Sequence, residues 1–138
     1  AEVRVSSDVP ISTGESEFTR FAFRDLAELR ACDIFQPDLS ICGGITEAMR
    51  IEAIASAYQL RYAPHLWGGA LTFAAGLHTM VVASTGFIVE YSLGANPMLH
   101  ELAIEDFKVI DGHLDVPERP GLGVTVNQEF VDTYRVKN

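Results

Sequence analysis

The stretch DIFQPDLSICGGITEAMRIEAIASAYQLRYAPH, residues 33–65, decides the fold. Asp33 to Pro37 is a short apolar run of strand length, and it is closed by Asp38. A turn at Cys42, Gly43 and Gly44 follows. From Ile45 to Gln59, Ile45, Met49, Glu52 and Ile54 are spread among strong helix formers, with Thr46 placed to cap the start. Leu60 to Pro64 is again short and apolar and stops at His65. Strand, helix and strand in this order predict a β-α crossover unit on a parallel sheet.

The same unit extends in both directions. Upstream, Asp8 to Thr13 is β-prone and ends in Gly14 and Glu15, and Thr19 to Ala31 places Phe23, Leu26, Ala27 and Arg30 at helical spacing behind a Thr19 cap. Downstream, LTFAAGLHTMVVAS (residues 71–84) reads as a mostly buried helix, and Gly86 to Glu90 is a fourth short apolar run ending in an acid. The first seven residues carry no pattern. From Asn96 the character changes: DFKVIDGHLDVP predicts a hairpin turning at Asp111 and Gly112, and Asn127 can cap a short final helix.

With 138 residues, 48% of them apolar, the chain has the size and composition of one ordinary domain and is not intrinsically disordered. Its net charge of -9 repels nucleic-acid backbones and anionic bilayers, so neither nucleic acid nor membrane is an expected partner. The longest apolar stretch is interrupted by His78 and is too short to span a bilayer. Cys32 and Cys42 are expected as free buried thiols in a reducing compartment, which places the protein in the cytoplasm. Position 1 is Ala, with no initiator Met and no signal segment, which suggests a piece of a longer polypeptide.

Side chains at the carboxyl ends of parallel strands converge on one rim of the sheet. Glu15, Asp38, His65 and Glu90 all fall there, in steps of 23, 27 and 25 residues. A single strand-end acid is more often a helix cap or loop anchor, but four such residues at one topological position point to a site. His65, with a reference pKa near neutrality, is the natural proton shuttle. Asp38 on the adjacent strand can fix its tautomer. Glu15 is a hard oxygen donor suited to Mg²⁺, although one carboxylate is too few to hold the ion. Glu90, if protonated, can donate a hydrogen bond to an oxyanion. Trp67 can form an apolar wall or simply cover the rim. His78 reads as a satisfied core or interface histidine, Gly43 and Gly44 are only a weak anion signal, and no zinc, nucleophile-elbow or dinucleotide motif is present.

The ordered set VPISTGE, DIFQPDLSICGGITEAMRIEAIASAY, YAPHLWGG, AAGLH, IVEYS and DVPERPGLGV resembles the carboxyl-terminal half of the mandelate racemase and muconate lactonizing enzymes of the enolase superfamily. The resemblance runs from about Val9 to the end. It implies an α/β fold: the fifth to eighth strands of a modified TIM barrel in residues 1–95, and a segment, 96–138, that packs back on the barrel and a capping domain. It implies that Glu15 is a Mg²⁺ ligand, Asp38 and His65 an acid-base pair, and Glu90 the residue that stabilises an enediolate. The lysine motif and the other metal ligands would lie in an amino-terminal half of the same chain.

PHLWGG and EYSLGANP most resemble the acid-sugar dehydratases and sugar-lactone cycloisomerases. The resemblance therefore implies a Mg²⁺-dependent lyase or isomerase that removes the proton α to the carboxylate of a small acid sugar, with the piece alone inactive. The rivals are a racemase or epimerase of the same superfamily, and a non-catalytic fragment that completes a barrel or oligomer. A half barrel leaves unpaired strand edges, so a homo-oligomer is expected.

Overall fold

The computed structural model describes residues 1–136. Three short parallel strands, β1 (Ser12–Thr13), β2 (Ile34–Phe35) and β3 (Arg61–Tyr62), lie side by side in chain order. Ser12 is in register with Ile34 and Ile34 with Arg61, and Thr13, Phe35 and Tyr62 form the next row. Helix α2 (Thr19–Glu28) connects β1 to β2, and α3 (Gly44–Ala57) connects β2 to β3. Helix α4 (Ala70–Val82) follows β3, as the crossover pattern requires.

Prolines limit the strands. Pro37 and Pro64 have no N–H to give to the ladder, so regular pairing stops just before them. The Pro37 carbonyl still accepts from the His65 N–H at 3.0 Å, and Asp38 and His65 pair as an isolated parallel bridge. The strand ends that carry the candidate acid and imidazole are therefore neighbours by backbone pairing.

The fourth run behaves differently from the expectation. Gly86 bridges Tyr62, but Phe87 to Glu90 forms no strand. Pro64 cannot donate there, and the Leu66 N–H is taken by the Glu90 carboxylate at 3.0 Å instead of by a backbone carbonyl. The amino terminus also departs from its expected lack of structure: α1 (Glu2–Val5) is one exposed helical turn, held by Arg4 Nε on Asp33 Oδ1 at 2.7 Å.

Neither threonine is a cap. Helix α2 is preceded by Phe18, and its Arg20 N–H is capped across the fold by Glu47 Oε1 at 2.9 Å. Helix α3 is preceded by Gly43 at φ +118°, a left-handed conformation that glycine adopts without side-chain strain. Two apolar clusters hold the elements together. Phe23 and Ala27 of α2, Phe35 of β2, and Ala48, Ile51 and Ala55 of α3 form the first, with Cys32 and Cys42 inside it. Both cysteines are free, and burial pushes the Cys42 thiol up to about 11.

The second cluster joins Leu66 and the α4 residues Ala70, Phe73, Ala74 and Leu77 to Leu99, Ala103 and Phe107. Leu99 belongs to α5 (Pro97–His100), a single turn capped by Asn96. The hairpin tip forms as expected, with Ile110 and His113 exchanging backbone bonds at 2.9 Å around left-handed Asp111 and Gly112. The last helix, α6 (Gln128–Tyr134), is capped by the Asn127 side chain, and His78 Nε2 lies 3.2 Å from the Leu122 carbonyl. Among the described residues no helix is long and apolar enough to cross a membrane.

Candidate active site

Asp38 and His65 emerge from adjacent strand ends, and backbone pairing brings their side chains together. His65 Nδ1 is 2.8 Å from Asp38 Oδ2. Burial opposes the ionised form of Asp38, but hydrogen bonds from Ser40 and His65 outweigh it and hold the carboxyl below its ordinary value. An ionised carboxylate only accepts, so His65 donates its Nδ1–H, and in the neutral imidazole the lone pair lies on Nε2. Nε2 is the ring nitrogen that faces the rim.

Two further carboxylates face this nitrogen. Glu15 Oε2 lies 3.5 Å from His65 Nε2 and Glu90 Oε2 lies 4.0 Å from it. The His65 side chain is 18% exposed and that of Glu15 61%, so the imidazole sits in a shallow recess with Glu15 at its mouth. Glu15 is positioned by the glycine before it. Gly14 has φ +123°, and a Cβ there would lie 2.5 Å from the Phe23 ring, so only glycine lets the chain turn out over that core aromatic.

Glu90 owes its place to the Leu66 N–H and to the neighbouring Tyr91, whose ring packs edge-on against Phe73 at 5.4 Å. Three of the sequence candidates, Glu15, Asp38 and Glu90, thus converge on the imidazole of a fourth, His65. Trp67 stands outside that group. It is 62% exposed and lines a separate cavity of about 430 Å³ with Gly68, Gly69, Ser92, Asn96 and Met98. Asn96 Nδ2 ties this segment down by donating to the carbonyls of Trp67 and Gly68 at 3.3 and 3.2 Å.

The sequence reading passed over Ser40. Both its N–H, at 2.7 Å, and its hydroxyl donate to Asp38 Oδ1. The available signal was local: a serine two residues after an aspartate commonly closes such a turn.

As a cation site the recess is incomplete. Among the described residues no three His, Cys, Asp or Glu side chains are arranged to hold a metal ion. Glu15 offers one hard oxygen, while the His65 imidazole is a nitrogen donor already engaged at its other end by Asp38. Mg²⁺ calls for an octahedral shell of oxygens, so this chain fits the ion as a contributor of one ligand and not as its binding site.

Residues 1–130 match the family model described as enolase C-terminal domain-like. A D-galactonate dehydratase of Pectobacterium atrosepticum is 40% identical over 129 residues, covering 89% of this chain and 34% of that protein. The solved 3,6-anhydro-D-galactonate cycloisomerase of Zobellia galactanivorans superposes with a TM-score of 0.91 at 32% identity, over 99% of this chain and 38% of the other. A mandelate racemase/muconate lactonizing enzyme of Jannaschia sp. CCS1 gives 0.88 at 31%, over 99% and 35%. The chain spans about a third of the length of the curated relatives it matches.

Proposed function

The chain belongs to the enolase C-terminal domain-like family, and from that membership we propose that it carries the His65 arm of an active site that removes the proton α to the carboxylate of an acid sugar. One observation carries the reading: His65 is held by an ionised Asp38 at Nδ1 and presents Nε2 between two further carboxylates. Similarity to D-galactonate dehydratases and to a cycloisomerase favours an aldonic or aldaric acid as substrate, with β-elimination or cycloisomerisation as the outcome.

In this reading His65 Nε2 takes the α-proton, and the Asp38 carboxylate stabilises the imidazolium that forms. Electron density moves from the broken C–H bond into the substrate carboxylate, and Glu90, when protonated, donates to the oxygen that gains charge. In elimination, electrons return to expel the β-oxygen, and the imidazolium supplies the proton that makes it water. Trp67 walls the sugar chain. Glu15 is assigned to Mg²⁺ as one of several oxygen ligands, the others coming from an amino-terminal half of the same polypeptide.

The remaining assignments belong to the same proposal. Residues 1–95 form the barrel portion and 96–138, the last two of which lie outside the described residues, the segment assigned to return to a capping domain. The protein works in the cytoplasm as a homo-oligomer on a small carboxylate, without nucleic acid or membrane partners.

The test is to incubate the full-length protein with D-galactonate, related aldonates and aldarates, their lactones and 3,6-anhydro-D-galactonate in D₂O and follow the products by NMR. A 3-deoxy-2-keto acid identifies a dehydratase, and a ring-opened or ring-shifted product a cycloisomerase. Exchange of the α-proton without a keto acid would replace elimination with racemisation or epimerisation. Absence of both exchange and turnover over the whole panel would remove the reading.

A second expectation concerns the metal. Calorimetric titration of the 138-residue chain alone with MgCl₂ should show no stoichiometric micromolar site, because one carboxylate leaves most of the octahedral shell to water. A tight one-to-one isotherm would show that this chain holds ligands beyond Glu15.

A further inference from the structure

We propose that Ser40 is a positioning residue for His65: it clamps one oxygen of Asp38 so that the other stays aligned with the imidazole. The inference rests on the reading of His65 as a base and adds a group that sets its orientation. Asp38 Oδ1 accepts the Ser40 N–H at 2.7 Å and the Ser40 hydroxyl, while Oδ2 faces His65 Nδ1 at 2.8 Å. The backbone around it is fixed as well. The Asp38 carbonyl accepts the N–H groups of Ile41 and Cys42 at 3.1 and 2.7 Å.

What remains free is rotation of the side chain about its Cα–Cβ and Cβ–Cγ bonds, and the Ser40 hydroxyl, beside the Ser40 N–H, resists it. Hydrogen bonds to an ionised oxygen are shorter and stronger than neutral ones, so losing this one removes a substantial restraint. A carboxylate turned out of line would release Nδ1 and allow the imidazole proton to shift to Nε2. That tautomer has no lone pair at the rim and cannot act as the base. The Ser40 side chain is exposed, so altering its oxygen disturbs no core packing.

The experiment uses the full-length protein with Ser40→Ala, Ser40→Thr and His65→Asn, read by steady-state kinetics and by ¹⁵N NMR of histidine-labelled protein at a fixed, mildly alkaline pH. Ser40→Ala should lower kcat about 10-fold, the scale on which groups orienting a functional histidine act. KM should stay unchanged, and the Nδ1–H signal of His65, identified by its loss in His65→Asn, should broaden or lose intensity. Ser40→Thr, which keeps the hydroxyl, should restore both. If Ser40→Ala retains the wild-type tautomer and kcat, Ser40 merely closes the turn and the proposal is wrong. Failure of the base reading looks different: His65→Asn would leave α-proton exchange intact, while the tautomer signal in Ser40→Ala would still decide whether Ser40 positions the ring.

Discussion

Replacing Asp38 by asparagine in the full-length protein should slow α-proton abstraction by about 10²–10⁴-fold, the range supplied by a positioned general base. The size follows from the hydrogen-bond directions. Ser40 directs two donors, its N–H and its hydroxyl, at Asp38 Oδ1. An asparagine here satisfies them only by placing its amide oxygen toward Ser40, which turns its NH₂ toward His65. Nδ1 must then accept, the imidazole proton moves to Nε2, and the base is blocked although every atom of the ring remains in place. Exchange of the substrate α-proton with D₂O measures the step directly, and a wild-type exchange rate in Asp38→Asn would dismiss the dyad.

The same substitution has a signature in stability. The folded state holds the Asp38 carboxyl below its ordinary value, so the unfolded chain binds a proton there more readily. That stabilisation is complete above the unfolded pKa of about 3.9 and fades as pH falls through the lower folded value. Acid unfolding of Asp38→Asn should therefore depend less steeply on pH below about 4.

The parts of the molecule legible in its sequence are those set by local periodicity. Phe23 and Ala27 are one turn apart and both are buried, and the apolar run read as a helix over residues 71–84 forms one over Ala70–Val82. Strand-end spacing found the rim because side chains at corresponding positions of successive parallel units point the same way. Caps and edges were harder to read, since their partners are distant in sequence. Nothing near Thr19 announces that Glu47, from the next helix, will take the Arg20 N–H. The run Gly86 to Glu90 has strand composition, yet its neighbour supplies Pro64 and a Leu66 N–H committed to Glu90. In both places a side chain reaching across the fold took the role that a local pattern would have assigned to nearby backbone or to a threonine.

Phe73→Ala should lower the stability of the protein by about 3–5 kcal/mol, the cost of removing a fully buried phenylalanine. Phe73 is 0% exposed on α4 and is the shared neighbour of two rings that follow α4 in the chain, Tyr91 at 5.4 Å and Phe107 at 4.7 Å between centroids, both edge-on. Such pairs add to simple burial, and truncation leaves both partners facing a void. Tyr91 adjoins Glu90, and its hydroxyl donates to the Phe107 carbonyl at 2.8 Å, so the cavity opens beside the peptide that sets Glu90 against Leu66 and, through it, near His65. Denaturant unfolding of the full-length protein should show the loss as a lower midpoint. Phe73→Leu should recover most of it by refilling the space without the edge-on contacts. A loss below about 1 kcal/mol in Phe73→Ala would mean that the segment from Tyr91 to Phe107 is not anchored by this ring and that Glu90 is placed by the bond of its carboxylate to the Leu66 N–H alone.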